Sequence, residues 1–282
     1  MTRTARLLLA AAALGPAGCG DRDDTTRLGG ATVQELRGSQ AQAPASAVAA
    51  ALTQVRESPE SQERLGYVNL ARIGEVDERL PRASILRRVL GPGAVRLAAF
   101  PDGAAQTAVQ VGPATVVRGT GAAEAAASGV DSGRDGVVLG ADAEFARVLQ
   151  DTRPVRTALS SVATAAVQSC LGDAAAQVIL GNRGLDTRDA AAGVGLRASQ
   201  DPPAGVQLVV CYAPRFVRQI GGTIEVFEER FGDLSGGPDI RELEIGEREM
   251  FSGALPVADL QASQVSALLG AGDGLLALLD RK

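Results

Sequence analysis

Seven glutamates crowd residues 225–249: Glu225, Glu228, Glu229, Glu242, Glu244, Glu247 and Glu249. Two carboxylates flanking a glycosidic bond can hydrolyse it, one as acid and the other as base or nucleophile. Glu242 and Glu244 are therefore candidates for a ligand site. Arg230, Arg241 and Arg248 are interleaved with the acids. Mixed charge of that kind marks a solvated surface, and this is the competing reading of the same residues. Tyr212 is a third candidate, since a phenol can line a pocket; a core tyrosine with a satisfied hydroxyl is the plainer alternative. It follows Cys211 directly, so in a regular strand the two side chains point to opposite faces. Cys170 and Cys211 can pair. The loop they close spans 41 positions, for which chain entropy gives about 4 kcal/mol.

Composition removes much other chemistry. Histidine and tryptophan are absent, and the single lysine is the last residue, Lys282. Ser-His-Asp and Cys-His catalysis, histidine-containing zinc sites, a Schiff-base lysine and a P-loop lysine are thereby excluded. Carboxylates, hydroxyls, phenols and arginines remain. Gly193-Val194-Gly195 is not a G-x-G-x-x-G fingerprint and reads as the start of a strand. No cofactor or metal is expected. The formal net charge is −5, and no stretch gathers arginines into a stripe, which argues against a nucleic-acid partner.

The N-terminus has the order of a secretory signal. Arg3 and Arg6 precede an unbroken apolar run, Leu7–Leu14, and Pro16-Ala17-Gly18 leads to Cys19. The run is too short for a permanent membrane span, which needs roughly 20 apolar residues. Pro16-Ala17-Gly18-Cys19 resembles the lipobox of bacterial lipoproteins, matching at Ala, Gly and Cys with Pro16 where leucine is usual. The resemblance implies cleavage before Cys19 and acylation of its thiol, with residues 1–18 removed and the formal charge falling from −5 to −7 as Arg3 and Arg6 are lost. It also implies an exported chain, lipid-anchored on the extracytoplasmic face of the membrane. In an oxidising compartment the Cys170, Cys211 pair is expected to bridge. The Ala/Arg/Gly-rich body is similar in style to lipoproteins of GC-rich actinobacteria, a likeness that implies no function.

The elements that must position these residues follow from periodicity. Residues 19–45 read as a polar tether. Residues 46–153 and 154–282 read as two α+β halves. In the first, a helix is expected at 45–56, and Ser58-Pro59 starts another. Strands are expected at 65–73, 95–100, 105–111, 115–118 and 136–139, with helices at 84–90, at 122–128 and from Asp142. In the second half, a helix is expected at 155–171 and strands at 177–180, 193–198 and 206–212. Phe216, Ile220, Ile224, Phe227 and Phe231 form a helical stripe interrupted by Gly221-Gly222. A strand at 241–245 puts Leu243 and Ile245 inward, and a strand at 250–257 and a helix at 261–269 follow. Strand–helix–strand order recurs around 65–100 and 206–245, which leaves a duplication open. The expected class is α+β, antiparallel sheets with helices packed on one face. The expected function is a membrane-anchored envelope lipoprotein whose non-catalytic domain binds an envelope protein or a small ligand. The alternatives are a hydrolase using Asp/Glu or Ser/Thr, or a solute-binding component of a transporter, which would need two lobes with a cleft near Pro154.

Overall fold

The computed structural model describes residues 27–28, 31–32, 47–76, 80–97, 100, 104–119, 130–131, 136–140, 156–199, 205–234, 237–270, 275 and 279. The signal segment, Cys19 and the helices expected at 122–128 and from Asp142 lie outside these residues. Within the expected tether, β1 (Arg27–Leu28) and β2 (Ala31–Thr32) pair antiparallel around Gly29-Gly30, a dipeptide suited to a two-residue hairpin connection.

The body is α+β. Among the described residues ten strands form one fully antiparallel sheet. The first half supplies β3 (Arg64–Asn69), β4 (Thr107–Val111), β5 (Ala114–Arg118), β6 (Val130–Asp131) and β7 (Gly136–Leu139). The second supplies β8 (Ala176–Leu180), β9 (Ala191–Ala198), β10 (Val206–Ala213), β11 (Asp239–Ile245) and β12 (Arg248–Pro256). From one edge to the other the order is β11-β12-β10-β9-β8-β3-β4-β5-β7-β6. Each half thus contributes five contiguous strands, ordered first, second, third, fifth, fourth from the centre outward. The halves meet where β3 pairs with β8, Gly66 opposite Val178 and Tyr67 opposite Gln177. One sheet therefore runs across the segment around residue 154, and the two lobes that a solute-binding component requires are not formed by the described residues.

Helices cover both faces of this sheet, not the single face expected. On one face α3 (Arg82–Leu90), α6 (Arg218–Phe231) and α7 (Ala262–Leu269) pack on Val68, Ala108, Val178, Val194, Val210 and Leu255. On the other, α1 (Ala47–Leu52) and α5 (Val162–Leu171) pack on Leu65, Val109, Ile179, Val209 and Cys211. The reason lies in the central strands. All five residues of β8 are buried, as are the first six of β9 and the last six of β10. A strand apolar at consecutive positions presents apolar side chains to both faces, and both must be covered.

Local chemistry explains the boundaries. Ser58 caps the short helix α2 (Pro59–Glu63) as expected, its hydroxyl accepting from the Ser61 amide at 3.1 Å while Ser61 Oγ accepts from the Ser58 amide at 2.8 Å. Helix α3 begins two residues before Ser84, directly after Pro81, and ends at Gly91, whose φ is +52°. Residues 95–97, expected as the start of a strand over 95–100, belong instead to helix α4 (Gly93–Leu97). Val95 is 77% exposed and Leu97 only 7%. Two residues apart, they lie on opposite sides of a helix but on the same side of a strand. Helix α5 starts at Val162, later than expected, because Arg56 and Thr157 form a β-bridge and Ala158 donates to the Val55 carbonyl, leaving Ser161 as the cap.

Candidate functional site

Cys170 on α5 and Cys211 on β10 are joined by a disulfide, both fully buried, with Cα atoms 6.3 Å apart. The bond pins α5 to the sheet in the second half. Helix and sheet also approach closely beside it. A Cβ on Gly193, inside β9, would sit 2.7 Å from Val167 and 2.8 Å from Leu171. Gly193-Val194-Gly195 therefore serves close packing in mid-strand rather than starting a strand. Both cysteines are shut off from solvent, so the bridge acts as a staple and not as a redox centre.

Glu242 and Glu244 are exposed on β11, which forms one edge of the sheet, while Leu243 and Ile245 point into the core. Glu244 stands opposite Glu249 across the β11–β12 pair. Glu225, Glu228 and Glu229 are exposed on α6. Carboxylates along an open edge discourage pairing with another strand. Among the described residues no group of three or more His, Cys, Asp or Glu could hold a metal ion. Tyr212 is 6% exposed and packs with Phe251 on the face opposite Cys211. Burial pushes its phenol pKa up.

The structure brings together residues that sequence did not single out as a site. Tyr67 and Gln177, neighbours across the central β3–β8 pair, are each 1% exposed. Neither the Tyr67 hydroxyl nor either polar atom of the Gln177 amide has a hydrogen-bond partner. Burial, and then the nearby Asp173 carboxylate, push the Tyr67 pKa up to about 12. Asn69 and Arg72 oppose the shift, with Asn69 close enough to favour the phenolate though outside hydrogen-bonding geometry. Arg72 is held to Asp173 at 2.6 Å. Gln177 interrupts an otherwise apolar strand, and that was the one signal of this pair in the sequence.

A second such place is a small, shallow groove, open to solvent, between α3 and α7. Leu80, Ile85, Val265 and Leu269 line it, and Arg88 Nε donates to Ser266 Oγ at 2.9 Å across its rim. Arg64 steadies the end of α3 by donating to the carbonyls of Arg88 and Val89 at 2.8 and 3.0 Å. A cation at a helix C-terminus is favourable, and burial lowers the Arg64 pKa.

A third is the turn from β10 into α6. Residues 215–219, Arg-Phe-Val-Arg-Gln, are all exposed. Phe216 thus leaves the stripe expected for it, while Ile220, Phe227 and Phe231 keep theirs and α6 runs unbroken through Gly221-Gly222. No family model, curated protein or solved structure matches this chain. No helix among the described residues is long and apolar enough to cross a membrane.

Proposed function

We propose that the chain is an exported envelope lipoprotein, anchored through an acylated Cys19, whose α+β domain binds a protein or small ligand and performs no catalysis. The observation that carries the reading is the buried Cys170–Cys211 disulfide. Such bridges persist in oxidising compartments and are rare in the cytosol, so a bridge in the body agrees with a leader that ends in Ala17-Gly18-Cys19. Two or more acyl chains give stable attachment. The binding role is supported by the absence of histidine and of any lysine before Lys282, together with glutamates spread along a strand edge and a helix surface. The solvent-open groove between α3 and α7, apolar in its walls and hydroxylated at its rim, supplies a surface for such contacts.

Intact mass of the protein purified from membranes of its native host, before and after reduction, tests this. The expected result is a chain beginning at Cys19, carrying acyl groups, that gains two hydrogens on reduction. An unacylated mass that retains residues 1–18 overturns the anchor, and an unchanged mass on reduction overturns the exported setting.

A further inference from the structure

We propose that the Arg215–Arg218 turn is a membrane-docking tip that seats on an anionic phospholipid surface. In this arrangement Phe216 and Val217 enter the boundary between headgroups and acyl chains, and Arg215 and Arg218 meet lipid phosphates. Phe216 is 47% and Val217 52% exposed, although they lie next to a helix whose other aromatic side chains are buried. The guanidinium carbons of Arg215 and Arg218 lie 5.0 and 5.4 Å from the centroid of the Phe216 ring, so an apolar ring is held between two cations. Neither arginine forms an ion pair with a described carboxylate. That holds even though Glu247, in the β11–β12 turn, and Glu249, on β12, flank Arg248, which donates to the Pro214 carbonyl.

The tip is also held in shape. Gln219 Oε1 accepts from the Phe216 amide at 3.2 Å, the Gln219 amide donates to the Phe216 carbonyl, and the Ile220 amide to that of Val217. Two adjacent large apolar side chains are thus presented together at the surface by an ordered turn. The five exposed residues are too few for a specific protein interface, which takes roughly 20–30 residues a side. Paired cations around an apolar wedge match the chemistry of an anionic headgroup layer. The chain without residues 1–18 carries a formal net charge of −7, since Arg3 and Arg6 are lost from a total of −5, so such a surface repels the body and attracts the tip, which sets an orientation. The inference rests on the lipoprotein reading for the anchor that keeps a bilayer near.

The test uses the acylated protein carrying Gly221→Cys, labelled with an environment-sensitive fluorophore. A Cβ at Gly221 meets open space, and the other three thiols are engaged in the thioether and the disulfide. The protein is reconstituted in vesicles of phosphatidylcholine alone or mixed with phosphatidylglycerol. The expected result is a blue-shifted emission, accessible to a bilayer-embedded quencher, in the phosphatidylglycerol vesicles only, and weakened by salt. Arg215→Gln with Arg218→Gln should cut the equilibrium constant for docking about 30-fold, at about 1 kcal/mol per charge, and Phe216→Ser with Val217→Ser should abolish the quenching. Emission that is equal in the two vesicle types, or unmoved by these variants, overturns the tip, including in favour of an acidic protein partner. Failure of the anchor is a different result: the protein recovered from the host membranes then carries no acyl group, and phosphatidylcholine vesicles do not retain it. In that case flotation of the unacylated chain with phosphatidylglycerol but not phosphatidylcholine still supports the tip, and no preference overturns it.

Discussion

The two halves share a strand order but solve the packing of helix on sheet differently. In the first half, α3 lies across β3 so closely that a Cβ on Gly66 would come 2.2 Å from the Val89 carbonyl oxygen. The contact is backbone on backbone, secured by the Arg64 guanidinium on the carbonyls of Arg88 and Val89. In the second half, α5 meets β9 through side chains, Val167 and Leu171 on Gly193, and a disulfide secures the approach. Among the described residues the segment between β3 and β4 contains a 3-10 turn, Arg72–Glu75, and the helices α3 and α4, whereas β8 and β9 are joined by a turn-rich loop, residues 181–190. The second half also holds the aromatic cluster of Phe227, Phe231 and Phe251, with ring centroids 4.9 and 5.1 Å apart. A common strand plan therefore tolerates a covalent fastening in one half and a hydrogen-bonded one in the other, because the sheet needs only that each apolar face be covered at contact distance.

Removing the covalent fastening has the largest expected effect. Cys170→Ala with Cys211→Ala should lower unfolding stability by about 4 kcal/mol, or roughly 10 °C in melting temperature for a body of this size. Denaturant unfolding monitored with amide hydrogen exchange checks it. Protection should fall first in β9, β10 and α5, while β3, β4 and α3 keep theirs. A uniform loss across both halves would mean that the sheet unfolds as one unit and that the halves differ only in geometry.

The glycines sharpen the same contrast at smaller scale. Gly66→Ala drives a methyl into a carbonyl oxygen of the helix backbone, which can yield only if α3 moves as a whole, and about 3 kcal/mol is expected. Gly193→Ala meets two aliphatic side chains that can turn aside, and about 1 kcal/mol is expected. Denaturant midpoints of the two variants, measured side by side, decide whether backbone contact is the stiffer of the two. Equal losses would show that α5, held by the disulfide, yields no more easily than α3.

Much of the second half was legible because its elements are locally consistent. Ile220, Ile224, Phe227 and Phe231 recur at helical steps, and α6 covers them. Leu243 and Ile245 alternate with Glu242 and Glu244, and β11 faces them as that pattern requires. Val95 and Leu97 misled because alternation over three residues fits a strand as well as a helical turn with one side exposed. The covering of both faces was written in Ala176–Leu180 and Val206–Ala213, whose apolar positions are too continuous for a sheet with a wet side. The meeting of β3 with β8 was not legible, since the choice of strand neighbour depends on contacts more than a hundred residues apart. For the same reason neither Tyr67 nor Gln177, each unremarkable alone, announced a buried polar pair at the seam.

That seam permits a comparison of the two tyrosines, one in each half and on opposite faces of the sheet. They are the only two in the chain, so phenolate absorbance during an alkaline titration reports on them alone. Burial raises both pKa values, and the Asp173 carboxylate adds to the shift at Tyr67, carrying it to about 12. In the unfolded chain a tyrosine ionises near 10. The folded state therefore holds the Tyr67 proton where the unfolded state releases it. The stability this contributes is fully present below about pH 10 and is lost as the pH rises from about 10 to about 12. A gap of that size corresponds to about 3 kcal/mol. Tyr67→Phe removes that part of the alkaline loss and also deletes a buried hydroxyl that has no hydrogen-bond partner, so the variant should match or exceed the parent in stability at neutral pH and outlast it above pH 10. Tyr212→Phe should leave the part of the curve that depends on Asp173 in place. If Tyr67 titrates near 10 in the folded protein, the seam is open to water, and the polar pair is a solvated cleft between the halves instead of a closed joint.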